Sequence, residues 1–163
     1  MTPLARGWVL WDALLAMCVL GLGLLGLFLS ASQALLAQRE NSAWAQALHL
    51  SDDLIARMAI NREGLDAYQL ALGETPAMTD CSSKACSAAQ WAQADLAYWK
   101  RRVVSELPQG DAQLLKAGTD PRQRLIWLSW HALSSSSWMP PASDLFTPAC
   151  PANKRCHALW VMP

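Results

Sequence analysis

Residues 6–29 read RGWVLWDALLAMCVLGLGLLGLFL, and this stretch decides the fold. The segment from Trp8 to Leu29 is almost wholly apolar, and Asp12 is its only charged residue. At about 1.5 Å per residue, a helix of this length reaches roughly 33 Å, enough to cross a hydrocarbon core of about 30 Å. The segment therefore predicts a single membrane-spanning helix. The short N-terminus that carries Arg6 is expected on the cytoplasmic side and the rest of the chain outside.

Asp12 is the residue that a plain membrane anchor does not explain. An acidic side chain at mid-bilayer costs about 2.5–3.5 kcal/mol on insertion scales, so it usually has a partner. One explanation is its place near a helix N-terminus, where the helix dipole favours negative charge. The other is a positive charge on another subunit. A secretory signal cleaved near Ala34 is a further alternative, but the apolar run is longer than the 7–15 residues typical of such signals.

The segment from Gln33 to Ile60 continues the helical period in a different form. Its apolar residues, from Trp44 to Met58, recur at spacings of three and four and leave most charged residues on other faces. We predict one continuous helix from Trp8 to about Ile60, hydrophobic all round in its first half and amphipathic in its second. Residues 61–64 then end it. The amphipathic half needs a partner that covers its apolar stripe.

The rest of the chain predicts a loop, a short helix and a small sheet. Residues 64–86 have weak periodicity and predict a loop, while Ser87 and Gln90 fit a capping box that begins a second helix, ended by Pro108. Strands are predicted at 112–117, 123–133 and 157–162, with a turn at 118–121 and a loop at 134–141. The predicted fold class is α+β: a long N-terminal helix packed through its amphipathic half on a small antiparallel β-sheet, with one additional short helix.

The charges and the overall composition exclude several classes of protein. Thirteen Lys and Arg residues balance thirteen Asp and Glu residues in 163 positions, which argues against a nucleic-acid partner. A hydrophobic content of 53% is too high for a disordered chain. Nine tryptophans are many for this length and indicate large rings in the core. Trp91, Trp99, Trp127 and Trp130 are predicted to lie in the core, and an exposed Trp138 or Trp160 would mark a subunit contact.

The histidines do not form a recognisable catalytic constellation. His131 lies near Ser134–Ser137, but the chain has no G-x-S-x-G elbow around these serines. His49 is followed by Asp52 and Asp53 in the predicted helix, where all three read as a solvated face. His157 reads as a strand residue rather than a metal ligand. We therefore predict no catalytic residues, no metal site and no cofactor.

The five cysteines divide into one membrane residue and four outside it. Cys18 lies in the apolar run and reads as a small packing residue. Cys81, Cys86, Cys150 and Cys156 face an oxidising compartment and imply disulfides, for which three connectivities are possible. Pairing of the first two and of the last two is favoured because each pair closes a short loop, but the crossed pairings stay open. A zinc site is the weaker alternative, because neither spacing is C-x-x-C.

The N-terminal pattern resembles a known signal. Arg6 and Gly7, followed by WVLWDALLAM from Trp8 to Met17, resemble the class III signal of type IV pilins and pseudopilins. In that family a short basic leader ends in Gly, an aromatic residue follows the cut, and an acid stands at the fifth mature position. Trp8 stands here where the family usually has Phe, and Asp12 where it usually has Glu. The resemblance implies that prepilin peptidase cuts after Gly7 and methylates the new amine of Trp8, and that Asp12 faces the amine of a neighbouring subunit.

The order of features downstream is similar to that of minor pilins of the PilV type. The resemblance rests on a set of positions that follow the long helix: Arg57-Met58 with Asn61, a Cys-containing loop, Asp95 and Trp99 on the short helix, and Leu107-Pro108-Gln109-Gly110 before a hairpin. It implies a leader peptide at 1–7, a transmembrane and assembly half of the helix at 8–30, and a periplasmic pilin-like head at 31–163.

The resemblance also implies what the chain does and where it lies. A minor pilin is a structural subunit and not an enzyme, and it promotes pilus assembly or priming, in some cases at the filament tip. It waits in the bacterial inner membrane, in contact with lipid, and then enters the filament at the cell surface. The implied partners are other minor pilins, the major pilin, prepilin peptidase and the inner-membrane pilus assembly machinery. The alternatives are a minor pseudopilin of type II secretion and a plain single-pass membrane protein with a periplasmic binding domain.

Overall fold

The computed structural model of the chain describes residues 5–83, 85–116, 118, 120–132 and 148–163, and for residues 5–9 it describes the backbone only. The chain divides into an N-terminal unit, residues 1–39, and a C-terminal unit, residues 40–163. The elements follow in the order α1 (Ala5–Ile60), a 3-10 helix (Arg62–Ala67), α2 (Ala88–Glu106), β1 (Asp111–Lys116), β2 (Arg124–His131) and β3 (Lys154–Val161). The α+β fold class predicted from the sequence is confirmed.

The N-terminal unit consists of helix whose side chains are not covered. Every residue from Leu10 to Arg39 is exposed, and the apolar ones include Trp11 at 70% and Phe28 at 72% of their full accessible surface. Among the described helices, the one that contains this segment is long and apolar enough to cross a membrane. An exposed apolar surface of this extent marks a site of contact with lipid or with other proteins.

The core of the C-terminal unit lies between α1, α2 and one face of the sheet. From Ala47 to Met58, α1 buries a stripe at the spacings of three and four that the sequence predicts. An amphipathic helix has to bury its apolar side against other elements, and here both α2 and the sheet cover that stripe. The core residues on these elements are Ala47, Leu50, Leu54 and Met58 of α1, Ala92, Leu96, Trp99 and Val103 of α2, and Ala112, Leu114, Ile126, Leu128 and Trp130 of the sheet, and Tyr68, Leu70 and Leu107 join them from the connections.

The three strands form an antiparallel sheet in the order β1-β2-β3. The central strand β2 is buried on both faces from Arg124 to Trp130, which explains its near-continuous apolar sequence. β1 begins one residue earlier than predicted, and β3 begins at Lys154 rather than His157. β3 starts earlier because the turn that precedes it ends at Asn153, which has a φ of 61°, and the strand begins at the next residue.

The connection between α1 and α2 is more ordered than the predicted loop. It contains the 3-10 helix, and Leu70 forms an antiparallel bridge with Leu114 of β1 through backbone hydrogen bonds of 3.0 and 2.9 Å. Gly64 lies so close to the first turn of α2 that a Cβ atom there would come within 2.4 Å of the Ala88 carbonyl oxygen. The prediction of a plain loop was therefore wrong in part, because this segment is ordered by contacts with distant residues.

The helix boundaries follow their local signals. α1 ends at Ile60, as predicted, and begins at Ala5, three residues before the predicted start at Trp8. The capping box at α2 is confirmed, since the Ser87 hydroxyl accepts a hydrogen bond from the Gln90 amide and the Gln90 side chain accepts one from the Ser87 amide. These bonds satisfy amide groups that a helix start leaves unpaired.

The tryptophan prediction is correct for three of the four core positions. Trp99, Trp127 and Trp130 are buried, whereas Trp91 is 47% exposed. Trp91 precedes Ala92, the first buried position of α2, and falls outside the stripe that turns toward the core. Trp160 is half-buried in β3, and Trp138 lies outside the described residues. Leu133 and the loop predicted at 134–141 also lie outside them.

Replacing Leu54 with Ala is expected to lower the free energy of unfolding by about 2–5 kcal/mol, because the side chain is fully buried and its loss leaves a cavity. Leu48→Ala on the same helix is the matched control, since that side chain is 40% exposed. The measurement is urea unfolding of the full chain in detergent, with tryptophan fluorescence as the signal that monitors it. Equal losses in the two variants would contradict the position of the core.

Candidate assembly site

The predicted processing residues lie in the first turns of α1. The backbone is helical through Gly7 and Trp8, and the side chains of both residues lie outside the described part of the chain. The described part of the apolar surface, from Leu10 onward, lies on the same helix. The described backbone therefore brings the predicted cleavage position and the start of the apolar surface onto one helix.

Asp12 is the single acidic residue on the described N-terminal apolar surface. It is exposed, and none of the ion pairs within the described residues includes it. α1 begins at Ala5, so Asp12 lies beyond the first helical turn of the uncut chain. The favourable effect of the helix dipole falls off within that turn, and in the uncut chain it accounts for little of this placement. A partner outside the described chain remains the explanation that gives the carboxylate a counter-charge.

The four cysteines outside the apolar run are joined in two pairs. The structure bonds Cys81 to Cys86 and Cys150 to Cys156, and Cys18 is an exposed free thiol. The first pair lies in the connection that leads to α2, and the second closes the turn before β3. Among the described residues, no group of His, Cys, Asp and Glu side chains is arranged to hold a metal ion.

A cluster of polar side chains, which we call the helix clamp, joins α1 and α2 beside the core. It forms because α2 runs antiparallel to the last part of α1, which places charged residues of the two helices opposite each other. Each helix brings residues of both charge signs to this seam, so the cluster contains complementary partners. The members of the helix clamp are Gln46, Asp53 and Arg57 of α1, Tyr68, and Asp95, Arg102 and Glu106 of α2.

Arg57 is the centre of the helix clamp. Its Nε atom lies 3.1 Å from Asp53 Oδ2 and its Nη1 atom 2.9 Å from Asp95 Oδ1, while the guanidinium stands 4.7 Å from the centre of the Tyr98 ring. Tyr68 donates a hydrogen bond of 2.6 Å to the other oxygen of Asp95. Burial and this hydrogen bond raise the pKa of the Tyr68 hydroxyl far above its ordinary value, so it remains a donor.

The second half of the helix clamp is built on Arg102. Its Nε atom lies 2.6 Å from Glu106 Oε1 and its Nη1 atom 3.2 Å from Asp53 Oδ2. Gln46 donates a hydrogen bond to Glu106 from α1. The hydrogen bond from Arg102 holds the pKa of the Glu106 carboxyl below its ordinary value. Asp53 therefore contacts both arginines, and the prediction that it belongs to a solvated face was wrong, whereas His49 and Asp52 are exposed as predicted.

Five of the positions that carried the downstream resemblance meet at this same helix pair. Asn61 donates a hydrogen bond of 2.8 Å to the Ala88 carbonyl, and Trp99 donates one of 2.7 Å from its indole to the Leu50 carbonyl. Arg57 and Asp95 form an ion pair, and Met58 lies in the core. These residues fix how α2 lies on α1, and their role in the structure is to hold the C-terminal unit together.

Sequence reasoning did not find Tyr68, Gln46 or the pairing of Arg102. The i,i+4 spacing of Asp53 with Arg57 and of Arg102 with Glu106 was a usable signal for the pairs within each helix. The pairs between helices had no such signal, because they depend on the register of α2 against α1. The bond from Tyr68 depends in turn on the 3-10 helix that the sequence did not predict.

Asp95→Ala is expected to lower the free energy of unfolding by about 2–3 kcal/mol, because it removes a partner of both Arg57 and Tyr68 in a partly buried site. Lys116→Ala is the matched control, since it removes an ion pair between two exposed side chains, Lys116 at 43% and Asp66 at 82%, and we expect little change. Urea unfolding of the full chain measures both. A loss at Lys116 as large as that at Asp95 would contradict the role of the helix clamp.

Comparison with known families bears on a part of the chain that contains most of the helix clamp, from Gln46 to Asp95. Residues 31–97 match a family described as Tt1218-like, Type IV pilin Tt1218. No curated protein and no solved structure matches the chain. The matched segment spans the last part of α1, the 3-10 helix, the first disulfide and the first half of α2, which is less than half of the chain. Together with the long apolar N-terminal helix, this match supports membership of the chain in the type IV pilin superfamily.

Proposed function

We propose that the chain is a minor pilin of the PilV type, a structural subunit that takes part in type IV pilus assembly or priming. The observation that carries the proposal is the match of residues 31–97 to a type IV pilin family, which begins inside α1 just after its exposed apolar segment. The pattern Arg6-Gly7, Trp8 and Asp12 at the start of that helix supports it. Structural subunits of this kind act through their surfaces and not through a catalytic site.

Processing is the first step of the proposed role. Residues 1–7 form a leader that prepilin peptidase removes after Gly7, which leaves Trp8 as an N-methylated first residue. Residues 8–30 hold the subunit in the inner membrane, with the N-terminus in the cytoplasm and residues 31–163 in the periplasm. The cut also shortens the chain that precedes Asp12, which becomes the fifth residue of the mature protein.

Assembly is the second step, and its energetics follow from the exposed helix. Lipid tails and the apolar helices of other pilins offer similar surroundings to side chains such as Leu14 and Phe28, so transfer between them costs little. Apolar contacts alone do not fix how far one helix is displaced along another. A buried pair between Asp12 and the amine of a neighbouring subunit supplies that register, since a charge left without its partner typically costs about 3–5 kcal/mol. The proposed partners are other minor pilins and the major pilin.

The first test of this proposal is processing in a bacterial host that has a prepilin peptidase. The mature chain is expected to begin at Trp8 with a methylated amine and to carry the disulfides Cys81–Cys86 and Cys150–Cys156. Intact mass, N-terminal sequencing and non-reducing peptide mapping measure all of these. Gly7→Ala is expected to leave most chains uncut or slowly cut, because the peptidase needs a residue without bulk there.

Gly21→Ala is the matched control for that substitution, since a Cβ atom at Gly21 meets no atom within 4 Å. It is expected to be processed like the unmodified chain. A mature N-terminus at Met1, or one near Ala34, would refute the class III signal. Peptides that join Cys81 to Cys150 or Cys156 would contradict the disulfide pairing and leave the family assignment intact.

The second test compares three substitutions of Asp12. Asp12→Ala and Asp12→Asn are expected to insert and to be cut, but to assemble poorly and to lose co-purification with partner pilins. Asp12→Glu keeps the charge and is expected to work at least as well as Asp12. If the carboxylate acted only on the helix dipole, an effect of about 0.3–1 kcal/mol, Asp12→Asn would be nearly silent.

Pilus number and co-purification are the readouts of the Asp12 series, and normal assembly by Asp12→Ala would refute the pairing between subunits. The same strains separate the pilus from the type II secretion alternative. Loss of secreted enzymes from the medium, with pili unchanged, would identify a minor pseudopilin. A chain that begins at Met1 and has no effect on either system would identify a plain membrane protein with a periplasmic binding domain.

A further inference from the structure

We propose that β3 and the first turns of α1 in the C-terminal unit form an acid-sensitive joint, in which protonation of His157 releases the strand from the helix. The joint consists of Glu40 and Trp44 of α1 and Arg155 and His157 of β3. The inference goes beyond the proposed function, because it concerns the stability of one contact and does not depend on what the chain assembles with.

The geometry of the joint is set by the alternation of β3. Residues two apart on a strand point to the same side, and Arg155 and His157 both contact α1. Arg155 Nη2 lies 2.6 Å from Glu40 Oε2, and the His157 ring meets the Trp44 ring edge-on with 5.1 Å between their centres. Trp44 also packs against Trp130 of β2 at 5.8 Å. The imidazole is thus one layer of an aromatic contact between helix and sheet.

The surroundings of His157 favour its neutral form. The Nε2 atom is buried and accepts or donates no hydrogen bond in the described part of the chain. A protonated imidazole carries an N–H donor on both ring nitrogens and a positive charge, and a buried charge without a hydrogen-bond partner is costly. Trp44 itself remains 37% exposed, so the joint lies at the edge of the core and not inside it.

The charged groups around the imidazole do not remove this cost. Among the described residues, α1 presents Asp52 and Glu40, β3 presents Arg155, and β2 presents the apolar residue Leu128 opposite His157. Glu40 and Arg155 are paired with each other. Burial lowers the pKa of His157, and the nearby charge of Asp52 raises it by a smaller amount, so the net pKa lies below the ordinary value.

The direction of the pH effect follows from that lowered pKa. The unfolded chain binds a proton on His157 near its ordinary pKa of about 6.5, whereas the folded chain binds it only at lower pH. The contribution of His157 to stability is therefore complete above about pH 6.5 and is lost as the pH falls toward the folded-state pKa. A C-terminal unit that lies outside the cytoplasm, as proposed above, meets the acidity of its surroundings directly.

The first arm of the test is a pH titration of the histidine ring signals of the full chain in detergent, by NMR with labelled histidine. His157 is assigned by loss of its signal in His157→Gln, and its reference is the same residue in the urea-unfolded chain. We expect His157 to titrate at lower pH in the folded chain, and the contact between its ring and Trp44 to disappear as it titrates. A titration at or above the unfolded value, or a ring contact that persists after protonation, would overturn the proposal.

The second arm is the thermal midpoint of the full chain between about pH 7.5 and about pH 5, a range that spans the titration of histidine. On acidification, the thermal midpoint of His157→Gln is expected to fall by fewer degrees than that of the unmodified chain, because glutamine binds no proton. His49→Gln is the matched control, since His49 is exposed on α1. Its thermal midpoint is expected to fall as much as that of the unmodified chain. Equal losses in all three chains would overturn the proposal. If His157→Gln does not fold, the His157 signal is assigned by elimination with His49→Gln and His131→Gln, since the chain has three histidines, and the titration of the unmodified chain decides.

Discussion

The C-terminal unit depends on the burial of one stripe of α1, from Ala47 to Met58, beneath α2 and one face of the sheet. Neither partner covers the stripe alone, because the core that encloses it contains residues of α2 and of the strands β1 and β2. Burial of the large side chains in this stripe contributes roughly 1.5–3 kcal/mol each. The apolar side chains of α1 are exposed in the N-terminal unit and buried in the C-terminal unit. Without the contact with α2 and the sheet, the stripe from Ala47 to Met58 would also be an exposed apolar surface.

Apolar packing leaves the register of two helices loosely determined, and the polar groups around the stripe restrict it. The helix clamp pairs each arginine with carboxylates from both helices, and a slide by one turn would separate Arg57 from Asp95. Inside the stripe the Trp99 indole donates to the Leu50 carbonyl, which ties the same register from the buried side. Polar pairs at such a seam act more on specificity than on net stability, because desolvation offsets part of their gain.

The sequence predicted those parts of the fold that depend on nearby residues. The period of α1, its end at Ile60 and the capping box at Ser87 are local signals, and the structure agrees with them. The bridge of Leu70, the exposed Trp91 and the surroundings of Asp53 were not predicted, because each depends on which distant element lies alongside. The candidate assembly site at Gly7, Trp8 and Asp12 is similar. The N-terminal sequence pattern identifies these residues, but it does not give the contacts that the proposed neighbouring subunit would make with them.

The pair between Glu40 and Arg155 joins residues 115 positions apart, whereas Arg57 and Asp95 are separated by 38. Contacts between distant positions close long loops and form late in folding. During synthesis, α1 and α2 can therefore associate while β3 is still being made, and the contacts of Glu40 and Trp44 with β3 form only after the last strand has emerged. A C-terminal unit that is translocated as it is synthesised would leave this part of α1 accessible to chaperones until β3 arrives, and a truncation that removes β3 would leave it accessible permanently.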